Sequence, residues 1–238
     1  MSQFGQFGQF CPVAKATEVI GERWTLLILR ELLLGTHRFS DFQRAIARIS
    51  PSLLTKRLKH LEECGIIIRR KLSGQKGYEY RLTPAGKELS PLIEILAVWG
   101  MRWARGQMTD DELDVEFLMW DLQRRLNTDQ LPAGETVLCF NFDKLAKFKT
   151  WWIVAYDDQV DLCTEDPGKE VDLYITTDVR TLVEVWEGDR ELRRCLSEES
   201  IKTHGARHLE RSMPDWLGLC IVADVKRADP ALLRQAAD

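Results

Sequence analysis

The chain has 238 residues, 45% hydrophobic and 29% charged, the proportions of an ordinary globular protein with room for two modest domains. No run approaches the ~18 apolar residues of a membrane span, and the opening MSQFGQFGQF lacks the basic and apolar regions of a signal peptide, so a cytoplasmic protein without a membrane partner is expected. The net charge of −4 hides a split: residues 1–105 hold 17 Lys and Arg against 9 Asp and Glu, whereas residues 106–238 hold 16 against 28, which points to a polyanion-binding half joined to something else.

PVAKATEVIGERWTLLILRELLLG reads as a first helix, an interruption at Gly21, and an apolar helix from about Glu22 to Leu34 that Gly35 stops. In RFSDFQRAIARI, Ser40 precedes a short helix with Phe42, Ala45 and Ile46 on one face. The next stretch, ISPSLLTKRLKHLEECG, has an N-cap at Ser50, proline at the first helical position and a closing Gly65. At 100° per residue Leu54, Leu58 and Leu61 share a stripe, and Ser52, Thr55, Lys56 and Lys59 gather opposite it. After Gly65 the period changes. IIIRRKL and YEYRL are strand-formers joined by SGQKG, a hairpin with Lys76 at its tip and Arg69, Arg70, Lys71 and Arg81 on its flanks. Thr83 and Pro84 then open a long helix, in which Leu89, Leu92, Leu96, Trp99 and Trp103 make a seam.

Helices followed by a two-stranded wing and a further helix make a mainly α winged helix-turn-helix, and the hydroxyl-and-lysine face is the one to lie in a DNA major groove. Standing alone, such a face is ordinary solvated surface; the wing and the basic charge are what favour double-stranded DNA as partner. The stretches CPVAKATEVIGERWTLLILREL, RFSDFQRAI, ISPSLLTKRLKHLEECGII and YRLTPAGKEL resemble the HxlR-type regulators, relatives of the MarR group, over about residues 10–105. The resemblance implies a homodimeric regulator with its first and last helices at the interface, and a roughly palindromic operator. It also puts the recognition helix at Ser50 and Pro51 and the wing at Ser73–Gly77. The candidate DNA contacts are Arg38, Ser50, Ser52, Thr55, Lys56, Arg57, Lys59 and Lys76. Some members of the family use a cysteine before the first helix as a redox sensor, and Cys11 matches that position; packing as a small residue near the interface is the alternative. The other five cysteines form no CxxC pair or cluster, which argues against a zinc site and a disulfide framework.

Residues 106–114 are polar and acidic and suit a linker or the N-terminus of a helix, and VEFLMWDLQRRL is a bridging helix. TVLCFNF, WWIVAY, QVDLCTE and VDLYITTD follow as strands, the first three consecutive and antiparallel; helical patterns and the strand-like SIKTHG complete an α+β layer over 115–238. The stretch from EVDLYITTD to SMPDWLG resembles the sterol carrier protein type two fold, which implies an apolar tunnel and a small apolar ligand. Trp151, Trp152, Leu182, Trp186, Leu209 and Met213 are the candidate lining residues, with simple core as the alternative. His204 and His208 stand four apart, but no HExxH glutamate accompanies them, and GxSxG, P-loop and GxGxxG motifs are absent. The expectation is a regulator, not an enzyme, with no cofactor or metal. A lipid carrier that uses the winged helix only to dimerise, and a thiol switch at Cys11, are the rivals.

Overall fold

The computed structural model describes residues 7–72, 74, 77–229 and 231, and the chain divides into two units, Met1–Ala97 and Val98–Asp238. The first unit runs α1 (Pro12–Ile20), α2 (Thr25–Leu33), α3 (Phe39–Ala45), α4 (Pro51–Glu63), β1 (Ile67–Lys71), β2 (Tyr78–Leu82), α5 (Pro84–Lys87) and most of α6 (Ser90–Trp99). Ser50 accepts a hydrogen bond from the Leu53 amide at 3.3 Å and Pro51 takes the first turn, which fixes the start of α4. Gly65, at φ +72°, supplies the left-handed residue that ends it. The core joins Ile28, Leu29 and Leu32 of α2, Phe42 and Ala45 of α3, Leu54, Leu58 and Leu61 of α4, and Ile67 of β1. The hairpin pairs Ile67 with Leu82 and Lys71 with Tyr78. This is a winged helix-turn-helix.

Two boundaries differ from expectation. Helix α2 starts at Thr25 rather than near Glu22, because Trp24 takes φ +78° and turns the chain sharply. The single long helix expected from Thr83 is broken: α5 stops at Lys87 and α6 begins at Ser90, where Pro91 has no amide to continue the ladder. Beyond α6 come a π-helical turn, Gly100–Ala104, and a 3-10 turn, Arg105–Gln107.

The second unit contains α7 (Val115–Arg125), β3 (Glu135–Phe142), β4 (Thr150–Tyr156), β5 (Gln159–Cys163), β6 (Leu173–Thr177), α8 (Val179–Trp186), α9 (Leu192–Ser197), β7 (Lys202–Gly205), α10 (Arg207–Arg211) and α11 (Met213–Trp216). Its sheet has the order β5-β4-β3-β6-β7. The meander β3–β4–β5 is antiparallel as expected, β6 lies parallel to β3, and β7 is antiparallel to β6. Leu138, Phe140, Ile153, Leu173 and Ile175 form one buried cluster with Leu118, Met119 and Leu122 of α7 and Leu182 and Val185 of α8. That is a helix-and-sheet layer.

The segment expected as a linker, residues 106–114, is an ordered part of this unit. Met108 and Leu113 pack against its core, and Thr109 and Glu112 cap a 3-10 turn over Asp110–Glu112. The division also falls eight residues before the expected boundary at 105. Met101 is buried, and Arg105 donates to the Glu187 carbonyl at 3.0 Å while pairing with Asp189 at 2.8 Å.

Candidate nucleic-acid interface

Helix α4 presents two chemistries. Leu54, Leu58 and Leu61 are buried, and Ser52, Thr55, Lys56 and Lys59 are exposed. The Thr55 hydroxyl donates to the Pro51 carbonyl at 2.9 Å, which leaves its lone pairs outward; the Ser52 and Ser50 hydroxyls stand 3.3 Å apart. Lys59 is 74% exposed and 3.6 Å from Glu63, a distance that holds it loosely. Ser50 is committed to the cap. Arg38, exposed, precedes α3, and its backbone bridges Glu79 on β2, so the start of α3 lies beside the hairpin. Lys76 lies outside the described residues.

Arg57 corrects the expected contact set. It is 7% exposed, its Nε donates to the Arg23 carbonyl at 3.1 Å, and its Nη2 pairs with Glu22 at 2.7 Å. Positions 54, 57, 58 and 61 follow the i, i+3, i+4, i+7 spacing of a buried face, so the periodicity already places Arg57 with the leucines. Arg44 and Arg48 are exposed bases on and after α3 that were not among the candidates. The signal for Arg44 was that it falls out of phase with Phe42 on α3; Arg48, beyond the helix end, carried none.

At the base of the hairpin the Tyr80 amide donates to the His37 carbonyl at 2.9 Å, and Arg81 Nη1 lies 3.0 Å from His37 Nε2. A guanidinium only donates, so Nε2 accepts and the imidazole is neutral, protonated on Nδ1. Burial, and next the Arg81 charge, hold this histidine below its ordinary value. Arg69 stacks over the Tyr78 ring at 4.5 Å, and Arg70 and Lys71 are exposed beside it. The exposed side of this unit therefore carries hydroxyls and cations on a rigid helix next to a basic hairpin.

A capped helix with that face, flanked by a wing, defines the winged helix-turn-helix class of fold. An HxlR-like helix-turn-helix family model matches residues 19–108, and the chain belongs to this family. It is 35% identical over 97 residues to the HTH-type transcriptional regulator YvaP of Bacillus subtilis, covering 40% of this chain and 90% of that one. To the HTH-type transcriptional regulator Rv3095 of Mycobacterium tuberculosis it is 44% identical over 89 residues, 37% of this chain; the match spans only 56% of that relative's length. YtfH of Escherichia coli, another HTH-type transcriptional regulator, is 37% identical over 94 residues, 39% of this chain and 75% of its own. Among solved structures, the redox regulator HypR in its reduced form is 33% identical, with 38% of this chain and 90% of that chain covered and a TM-score of 0.36.

In the second unit five of the six candidate lining residues lie in or against one buried cluster, and Trp152 lies apart from it. Trp151, Leu182, Leu209 and Met213 belong to the buried cluster. Trp152 follows Trp151 on β4 and therefore faces the other side of the sheet, paired with Cys139 and Cys163. Trp186 is tied down, its Nε1 donating to Asp121 at 3.0 Å and its ring edge-on to Phe117 at 5.9 Å. A cavity of about 450 Å³ lies elsewhere, at the start of α8, lined in part by Leu113, Leu145, Val179, Lys144, Asp178 and Arg190. His204 sits on β7 and His208 on α10, both exposed, and no cluster able to hold a metal ion is found among the described residues.

The six cysteines are all free, and Cys11 is exposed at the head of α1. Cys64, at the C-cap of α4, has its thiol pushed up by burial and then by Glu63, and burial raises Cys139 to about 11. No helix of the described residues is long and apolar enough to cross a membrane.

Proposed function

We propose that the chain is a homodimeric transcription regulator that reads a roughly palindromic DNA operator through α4, with its hairpin beside the backbone or minor groove. The observation that carries this reading is the division of one capped helix into a buried leucine face and an exposed face of Ser52, Thr55, Lys56 and Lys59. Hydroxyls of this kind bond a base edge or a phosphate, and lysines reach a guanine edge or a phosphate. Arg38, beside the hairpin, and Lys76 serve as backbone contacts. The test is sequencing of duplexes enriched from random DNA by the full chain, followed by affinity and salt titrations of variants. Lys59→Ala is expected to weaken all sequences alike and to lower the salt slope by about one. Thr55→Ala or Lys56→Ala is expected to cost about 1–3 kcal/mol at one base pair. A folded variant lacking all four side chains that binds as well as the parent sinks the assignment.

The second unit supplies the control in this reading: a small amphipathic molecule that prefers one dimer geometry shifts the spacing of the two α4 helices. What supports it is the cavity beside α8, whose leucines and valine stand next to charged groups. The sterol-carrier likeness belongs to this proposal too, but a plain apolar ligand in the core cluster would have to displace Leu182, Leu209 and Met213, which are packed there. A saturating ligand at about a hundredfold excess over its Kd stabilises by roughly 2.7 kcal/mol, visible as a raised melting temperature. If a broad screen of amphiphiles and lipids gives no shift, the unit has no effector role.

A further inference from the structure

We infer that Arg57 is a positioning residue for DNA binding: it pins the joint between α1 and α2 to α4, so that the pose of α1 sets the pose of the helix that faces DNA. The inference rests on the homodimeric DNA-binding reading above and extends it to how the two copies of α4 keep their spacing.

The joint is four residues long, Gly21 to Trp24, and has no slack. A Cβ on Gly21 would sit 2.6 Å from the Thr17 carbonyl oxygen. Trp24, a bulky side chain, is held at φ +78°, a conformation that persists only where the surroundings impose it. From the α4 side Arg57 holds the two residues before it. One N–H of its guanidinium grips the Arg23 backbone carbonyl at 3.1 Å and another grips the Glu22 carboxylate at 2.7 Å. The planar fork thus holds main chain and side chain of the same turn at once in a fixed geometry, which a shorter, freely rotating lysine ammonium does not supply. Arg23 in turn lays its guanidinium over the Trp24 ring at 4.8 Å.

The other half of the argument is α1 itself. None of its nine residues is buried, so packing within its own unit holds it weakly. Its direction is set largely by the joint, and the joint is fastened to α4 one turn above Leu61 and level with Thr55 and Lys56. A partner surface that moves α1 therefore moves, or strains, this fastening before anything else in the unit. Direct DNA contact does not explain Arg57, which is buried with its Nε and Nη2 turned towards the joint.

The experiment uses the full chain with duplexes that the wild type enriches from random sequence, rebuilt as a series in which the distance between half-sites changes by up to half a helical turn. Two near-isosteric variants, Glu22→Gln and Arg57→Lys, are compared with wild type after thermal melting has shown them folded; Glu22→Gln carries the test alone if Arg57→Lys does not fold. Wild type is expected to bind the enriched spacing on the order of 30-fold better than the altered ones, within the usual range of coupling between sites. Both variants should reduce that preference to within about threefold, while binding a single half-site as wild type does and with the same salt slope. Retention of the wild-type spacing preference overturns the proposal. So does a fall in half-site affinity together with the salt slope, which would make Arg57 a phosphate contact. Enrichment of no sequence by wild type would instead refute the DNA reading on which the proposal stands.

Discussion

At the scale of single residues, position on a helix decides role more firmly than residue type does. Arg57 and Lys59 are both basic and two residues apart, yet one is fastened inside and the other is largely in solvent. Asp121 makes the same point in the second unit. It is 1% exposed and accepts from Arg124 at 2.9 Å, from Trp186 at 3.0 Å and from Arg125. Asp121→Ala would leave two guanidinium groups and an indole N–H without their acceptor, and is expected to cost about 3 kcal/mol or more of stability. Urea unfolding of the full chain measures this; a loss under about 1 kcal/mol would mean the cluster is solvated. His37 gives the pH dependence. Its value is held below the ordinary 6.5, so the unfolded chain takes up the proton first as pH falls through 6.5. The first unit should lose stability below that point until the folded imidazole itself titrates, and the charged ring would repel Arg81 at the hairpin base. Unfolding at about pH 5.5 and about pH 7.5 should show the difference in wild type and a smaller one in His37→Gln. Equal slopes in both would clear His37 of the effect.

At the scale of elements, what was local was legible. The N-cap at Ser50, the stripe of Leu54, Leu58 and Leu61 and the antiparallel pairing of Ile67–Lys71 with Tyr78–Leu82 are set by neighbours within a few residues, and the structure has them where the sequence puts them. Ser50→Ala should lower the stability of the first unit by about 0.5–1 kcal/mol, at the modest end for a cap because the bond is 3.3 Å long. Chemical denaturation that shows no change would mean the cap hydroxyl is satisfied by solvent in both states. What depends on distant partners was not legible. The parallel pairing of β3 with β6 joins strands separated by β4 and β5, and no pattern within either strand encodes it. Adjacent residues on one strand face opposite sides of the sheet, so Trp151 and Trp152 cannot share a lining, and the strand period alone already separates them. Asp121 was missed although Arg124 and Arg125 follow it at i+3 and i+4 on α7, a pairing the sequence does carry; only its Trp186 partner, on α8, is distant.

At the scale of the whole molecule, two helices carry apolar surface that the fold leaves in solvent. On α1 no residue is buried and Val13 is 72% exposed, with Phe10 exposed just before it; on α6 Ile95 is 66% and Trp99 57% exposed, with Leu92 and Leu96 beside them. Helices that are apolar on an uncovered face mark an interaction surface rather than a core, and a second copy presents the same apolar helices, as an isologous interface requires. The break between α5 and α6 does not remove the seam, because Leu92, Leu96 and Trp99 all lie in the continuous part, at spacings of four and three residues that keep them on one side. The expected outcome is a dimer in sedimentation of the full chain at tens of micromolar, with Ile95→Glu shifting it to monomer by placing a carboxylate in the buried interface. The same variant should bind a single half-site like wild type but lose the advantage of a two-half-site duplex, because each subunit then binds on its own and the effective concentration gained from being joined disappears. A variant that stays dimeric and keeps its preference for the full site would show that the subunits meet through other surfaces, and that the apolar faces of α1 and α6 serve a different partner.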